Sequence, residues 1–353
     1  MAECPPIESL LPIPKGIPVL GKGGHGKVYK IGDYVLKEVK YSAKRLAFEK
    51  KEFEDEVKVL QKLSTIPALQ PYLSRFCSSF NTGETGYILQ VYEPTITLRE
   101  CIIHFPKKSL AFPIGNAIQI NLRKALLTLV GAGFYHRDIK PENILLRVPE
   151  DYARAVEEWR GSTLPFPSPT PEIIQSIKPM PIFIDFGLAC QFDPKTKECV
   201  GINIAGTPEY MVPNFLPGYI HKRQPKMTIL KRTSDINNNT GEEISTHTPT
   251  NVYIKTKLIP YHLSHLTEFY ALCLVLEELY PLIDFTGHRR EELEMLEFIG
   301  KFQRAIKMNT IKRRRNLMGF GKILTVEGVG KGPAGGTRKR SQKKRRASRK
   351  ASK

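Results

Sequence analysis

The chain has 353 residues, 41% of them hydrophobic and 25% charged, with 54 Lys and Arg against 35 Asp and Glu and a formal net charge of +19. This composition supports a sizeable core and excludes a wholly disordered or collagen-like chain. The charge is uneven: residues 1–300 carry 35 bases and 34 acids, whereas 301–353 carry 19 bases and the single acid Glu327, so the basic character belongs to the C-terminus.

Six cysteines (Cys4, Cys77, Cys101, Cys190, Cys199, Cys273) are scattered without a C-x-x-C pair, and free thiols in a reducing compartment are expected. Cys190 and Cys199 are the pair near enough in sequence to meet. The opening residues lack a basic segment followed by an apolar one, and the longest apolar run, near Tyr270–Leu276, falls far short of the ~20 residues that span a bilayer. A soluble intracellular protein without membrane contact is expected, with cytoplasm and nucleus both open.

In chain order, a Pro-rich lead (1–13) precedes a segment at 17–40 that alternates as strands do. Two breaks interrupt it: the glycine cluster at 21–26 and the hairpin signal Gly32-Asp33. Residues 42–63 switch to helical spacing, with Phe53, Val57, Leu60 and Leu63 on one face. A strand at Tyr87–Tyr92 follows, then helical spacing from Ile118 through Leu122 and Leu126 to Leu129. Two insertions, about 148–180 (Pro-rich) and 218–255 (polar over 231–251), are expected to be surface loops. Helices are expected at 264–280 and 289–307, and a Gly-rich, then basic, disordered tail at 309–353.

The run Leu20-Gly21-Lys22-Gly23-Gly24-His25-Gly26-Lys27-Val28 contains Gly-x-Gly-x-x-Gly. A dinucleotide fold needs a helix after this loop, yet Val28, Tyr29 and Ile31 continue a strand. A Walker A loop needs a Ser or Thr hydroxyl where Val28 stands. What remains is a glycine loop inside a β-hairpin, where backbone N–H groups can approach phosphate oxygens, or an ordinary hairpin loop. Lys37, on the third strand, is a solvated strand residue or a phosphate-binding ammonium. Among the carboxylates of the following helix, Glu56 beside Val57 and Leu60 is better disposed to pair with it than Glu49, Glu52 or Glu54.

The most informative string is His136-Arg137-Asp138-Ile139-Lys140-Pro141-Glu142-Asn143. Asp138 and Asn143 are five apart, so one loop can present a catalytic carboxylate and a magnesium-binding amide, with Lys140 set to neutralise a transferring phosphoryl group. The apolar Ile182-Phe183-Ile184 runs into Asp185-Phe186-Gly187, a carboxylate suited to magnesium.

With these strings in this order, the chain resembles the eukaryotic-type protein kinase family over roughly residues 14–300. The resemblance implies an α+β two-lobe fold: a small antiparallel-sheet N-lobe with one main helix (14–92) and a larger, mostly helical C-lobe (93–308). By the same resemblance Gly21, Gly23 and Gly26 cover the ATP phosphates, Lys37 held by Glu56 contacts the α and β phosphates, and Asp138 orients the substrate hydroxyl. Asn143 and Asp185 would bind Mg2+, or Mn2+ in its place. Gln90 would be the gatekeeper, and backbone groups of Val91 to Glu93 would meet adenine. Lys140 and Gly206-Thr207-Pro208-Glu209-Tyr210 are similar to the serine/threonine subclass, implying protein substrates with Ser or Thr hydroxyls. Arg137 implies that a phosphate on the activation segment, at Thr196, can pair with it.

The chain departs from the family at Val212-Pro213-Asn214, which lacks the usual carboxylate. It departs again at Glu268, which stands where a large helix usually begins with aspartate, and in the short stretch after Tyr280. Two alternatives stay open: an ATP-binding pseudokinase or scaffold, and a protein acting through its tail. Residues 331–353 are expected to tether nonspecifically to nucleic acid or an acidic partner, or to be simply solvated, and Ser348 after Arg345-Arg346 suits phosphorylation. Insertions and a Gly-then-basic tail also resemble kinases of large DNA viruses in composition.

Overall fold

The computed structural model describes residues 4–23, 26–160, 162–196, 199, 206–211, 229–236, 243–250 and 265–311. The basic tail, Ser348, Gly24, His25 and Val212-Pro213-Asn214 lie outside the described residues.

Five strands, β1 (Val19–Gly23), β2 (Gly26–Ile31), β3 (Tyr34–Lys40), β4 (Phe76–Asn81) and β5 (Thr85–Val91), form an antiparallel sheet of order β1-β2-β3-β5-β4. The expected Gly32-Asp33 turn joins β2 to β3, with Gly32 at φ +57°. Leu36 and Leu89 pair across β3 and β5 and are fully buried with Ile7 from the N-terminal lead. Burial of each such side chain contributes roughly 2 kcal/mol. Helix α1 (Leu46–Ser64) lies against this sheet and buries Phe53, Glu56, Val57, Leu60 and Leu63. Glu56 alone among them is charged.

The larger lobe begins with β6 (Thr95–Thr97) and α2 (Leu98–His104), where the T-x-x-E signature forms a capping box. The Thr97 hydroxyl accepts from the Glu100 amide, and the Glu100 carboxylate accepts from the Thr97 amide. After β7 (Leu110–Ala111), α3 (Phe112–Gly131) starts a turn and a half before the periodicity from Ile118 indicates, because Pro113 serves as an N-terminal helix residue. The elements β8 (Phe134–Tyr135), β9 (Ile144–Arg147), α4 (Glu150–Trp159), α5 (Pro171–Ser176), β10 (Lys178–Phe183) and β11 (Cys190–Gln191) follow. Strand β9 pairs with both β6 and β10, and β11 pairs with β8. A hairpin of β12 (Ile229–Ile236) and β13 (Glu243–Thr250) precedes α6 (His265–Leu279). Helix α6 is apolar on nearly all sides and buries Phe269, Leu272, Val275, Leu276 and Leu279, as its composition requires. Strand β14 (Ile283–Asp284) pairs in parallel with β7, and α7 (Arg289–Ile311) ends the described chain.

This is the two-lobe α+β architecture that the resemblance implied, with three corrections. The 148–180 insertion is not a plain surface loop. Helix α4 buries Tyr152, Ala153 and Val156, and Trp159 and Phe166 clasp His104 of α2, with the Phe166 and His104 rings stacked at 4.0 Å. Prolines mark its connections, but apolar residues at helical spacing give α4 a face to bury. The 218–255 insertion contains the β12–β13 hairpin. Thr and Ile, which favour strands, recur in it: Ile229, Thr233 and Ile236 in β12, and Ile244, Thr246, Thr248 and Thr250 in β13.

The third correction concerns the thiols: Cys4 is bonded to Cys77 and Cys190 to Cys199, leaving Cys101 and Cys273 as buried free cysteines. Cys4 and Cys77 are 73 positions apart, so no sequence spacing could pair them; the packing of Ile7 onto β3 brings the lead beside β4. Among the described residues no helix is long and apolar enough to cross a membrane.

Candidate functional site

A cavity of about 490 Å3 lies between the glycine hairpin, the β5 exit and the loops following β8 and β10. Leu20, Gly21, Lys22, Gly26 and Val28 line it from one side, and Asp138, Lys140, Asn143 and Asp185 from the other. At Gly26, φ is +125° and a Cβ would stand 2.1 Å from the Glu38 carbonyl oxygen, so β2 can turn back this tightly only with glycine there. In the β1–β2 register Gly23 stands opposite Gly26, and Lys27 is exposed.

Lys37 projects from β3 between two carboxylates. Its Nζ is 2.6 Å from Glu56 Oε1 and 3.0 Å from Asp185 Oδ1. Burial alone would lower its pKa, but Glu56 and Asp185 outweigh desolvation and hold it above the ordinary lysine range. The choice among four glutamates is settled by helix rotation: Glu56 is buried, Glu54 is exposed, and Glu49 accepts the Ser42 amide at 2.6 Å.

Asn143 and Asp185 meet because of the β9–β10 ladder. Ile144 pairs with Phe183, and the Ile184 amide donates to the Asn143 carbonyl at 3.0 Å, so the loop before β9 abuts the loop after β10. Asn143 Nδ2 donates to the Asp138 carbonyl (2.9 Å) and to Asp138 Oδ2 (3.0 Å). Asp138 is buried, and its Oδ1 accepts both the Thr207 amide (2.8 Å) and the Thr207 hydroxyl (2.7 Å). Lys140 Nζ lies 2.8 Å from Asp138 Oδ2 and donates to Thr207 Oγ1 at 2.8 Å. Arg137 and Asp185, at φ +70° and +61°, are non-glycine residues in left-handed backbone that flank this constellation, a conformation held only where surroundings impose it.

What imposes it is buried. The Glu268 carboxylate accepts the backbone N–H groups of His136 (2.9 Å) and Arg137 (3.0 Å). It sits in the first turn of α6, three positions after the helix start at His265 rather than at the start itself. Burial pushes its pKa up to about 7, against the two amides that favour the charge. His136 is fully buried and held below the ordinary histidine range by desolvation; its Nε2 bonds the Ile184 carbonyl at 3.0 Å.

At the cavity's other end, Gln90 Nε2 donates to the Ser74 carbonyl. The amides of Val91 and Tyr92 donate to the carbonyls of Arg75 and Asp33, and the Glu93 carboxylate is paired with Arg147. Thr196 is exposed in the loop that the Cys190–Cys199 bond closes, its amide donating to Asp193 Oδ1. Arg137 Nη1 donates to the Leu188 carbonyl.

Sequence reasoning passed over Arg99, whose guanidinium joins Glu142 (Nε, 2.8 Å), Glu278 (Nη1, 2.6 Å) and the Tyr210 hydroxyl. It also passed over Glu157 and Arg160 on the insertion. No local pattern marks these residues, since each partner lies 40 or more positions away.

A model of the protein kinase domain matches residues 15–230. The serine/threonine-protein kinase ksp1 of Schizosaccharomyces pombe is 30% identical over 178 residues, 49% of this chain and 32% of that protein. The serine/threonine-protein kinase SBK1 of Danio rerio is 33% identical over 130 residues, 36% of this chain and 32% of that protein. The chain thus spans about a third of the length of the curated relatives it matches. With the family match covering more than half of the residues and its two loop motifs meeting at one cavity, the chain belongs to the protein kinase family.

Proposed function

We propose that this protein is an active serine/threonine protein kinase that transfers the γ-phosphoryl group of ATP to Ser or Thr hydroxyls of protein substrates. The observation that carries the reading is the buried Asp138 carboxylate, held by Thr207 and Lys140 in the same cavity as the Lys37–Glu56–Asp185 cluster. Phosphoryl transfer asks a protein for alignment and charge stabilisation rather than covalent chemistry, and these residues offer both.

Asp138 would accept a hydrogen bond from the attacking hydroxyl and hold it in line. Lys140 would offset charge on the transferring group. Lys37, kept cationic by two carboxylates, would bind the α and β phosphates beneath the backbone of Gly21–Gly26. Since Val91 and Tyr92 spend their amides on Arg75 and Asp33, Glu93 supplies the amide for an adenine ring, while its side chain stays with Arg147.

The donor set also fits Mg2+. Among the described residues no group of three or more His, Cys, Asp or Glu forms a metal cage, whereas one carboxylate (Asp185) and one amide oxygen (Asn143) suit a hard cation that takes its remaining ligands from phosphates and water. The ion would neutralise phosphate charge when bound.

The test is radiolabelled phosphate transfer from ATP to a generic basic protein by the full chain, with Asp138→Asn as control. Transfer that the substitution abolishes supports the reading. Equal inactivity of both proteins with Mg2+ and Mn2+ would overturn it.

A further inference from the structure

The two disulfides stand in different surroundings. Cys77 packs against the Ile7, Leu36 and Leu89 core, whereas the Cys190–Cys199 bond closes a segment in which Gln191 and residues 193–196 are exposed. The Cys190 end is held without covalent help. Strand β11 pairs with β8, the Phe192 amide donates to the Gly133 carbonyl at 2.9 Å, and the buried Phe192 ring stacks on Tyr135 with centroids 4.4 Å apart. What the bond fixes is Cys199, nine positions further on. It holds the two Cα atoms 6.2 Å apart, while nine positions of extended chain would span roughly 30 Å. Inside this ring Asp193 Oδ1 accepts the amides of Lys195 (2.7 Å) and Thr196 (2.8 Å). Thr196 is the sole residue with a hydroxyl between Asp185 and Thr207.

We infer that Cys190 and Cys199 form a reversible redox site, opened by a small thiol of the glutathione class, and that its reduction allows Thr196 to accept phosphate; the second half rests on the kinase reading above. The exchange balances. A thiolate attacks one sulfur of the bond, the other sulfur leaves as a thiolate and takes a proton, and a second thiol resolves the mixed disulfide. Two small thiols thereby become one small disulfide, and the protein gains two electrons and two protons. Both cysteines are partly exposed, which favours opening, because exchange depends on access to the sulfurs. The short separation favours closing again, since loop closure costs less over nine positions than over 73. Thr196 is affected because Asp138, the carboxylate that would align an acceptor hydroxyl, is buried in its cavity. A hydroxyl reaches such a group on a segment that can extend, and the ring closed at nine positions cannot. Lys37 keeps Glu56 and Asp185, and Asp138 keeps Thr207 and Lys140, in either state, since none of these bonds passes through the ring.

The experiment uses the full chain and its variant Cys199→Ser. Differential alkylation with peptide mass mapping, after timed exposure to reduced or oxidised glutathione, follows each disulfide separately. The Cys190–Cys199 bond is expected to open about ten-fold faster than Cys4–Cys77 and to re-form in oxidised glutathione. Incubation with radiolabelled ATP and Mg2+ then reads phosphate on Thr196. Labelling is expected to be about five-fold faster in reduced than in oxidised wild type, because the rate scales with the fraction of competent conformers. The variant should label at the reduced rate in either glutathione mixture. The Kd for a fluorescent N-methylanthraniloyl ADP should be the same in both redox states, which keeps a damaged nucleotide site apart. A bond that resists glutathione, equal Thr196 labelling in both states, or a glutathione effect that persists in Cys199→Ser would overturn the inference, while transfer to a basic protein leaves the kinase reading intact. No transfer to any acceptor in either state would instead remove that reading, and the gating of Thr196 with it.

Discussion

Glu268 offers a quantitative test of how the Asp138 loop is held. Its carboxylate lies in the core and accepts two amides of the loop, and its pKa rises from 4.5 to about 7. At about 1.4 kcal/mol per pKa step, that difference amounts to about 3 kcal/mol. The folded value lies above the unfolded one, so between the two the native protein keeps a proton that the unfolded chain has released. The stability so contributed is full below 4.5 and is lost as pH rises through about 7. Glu268→Gln removes the titration. Its amide oxygen can accept one backbone N–H while its NH2 faces the other, a cost of about 1–3 kcal/mol that does not vary with pH. Urea unfolding of both proteins at intervals from pH 5 to 8.5 isolates the effect, because His136 and every other titrating group are shared and cancel in the difference. Wild type should be the more stable at pH 5, and its advantage should shrink by about 3 kcal/mol by pH 8, cancelling or reversing. A difference that stays constant across the range would refute the raised native-state pKa of Glu268.

Three further outcomes are expected. Thr207→Val keeps the shape and the backbone donor but removes the hydroxyl shared by Asp138 and Lys140, and steady-state kinetics should show kcat falling roughly 10- to 100-fold, the worth of a hydrogen bond to a charged group. Unfolding midpoints measured with and without a thiol reductant should differ in the full chain. The Cys4–Cys77 bond closes a loop of 73 positions, for which chain entropy predicts up to about 4 kcal/mol, and Cys77→Ala should abolish most of the difference. Thr196→Ala should lower activity and remove phosphate from the 190–199 loop in peptide mapping; full activity in that variant would exclude Thr196 as the activating site.

Much of the candidate site is legible in the sequence alone. Motifs such as His136–Asn143 and Ile182–Gly187 are legible because several functional groups are carried by one short loop, where spacing along the chain equals proximity in space. The helix at α1 and the hairpin at Gly32-Asp33 are legible for a related reason, since period and turn chemistry are local. The near-neutral body and basic tail could be separated by counting alone.

Tertiary structure decided whatever depends on partners distant in the chain. It set Glu268 in the first turn of α6 beneath the His136 and Arg137 amides and brought Cys4 against Cys77. It also turned an insertion that composition marks as loop into the folded helix α4, whose Glu157 crosses to Lys30. The physical reason is common to all three. Burial and electrostatic pairing depend on which surfaces face each other, and no local period or propensity encodes that for residues tens to more than a hundred positions apart.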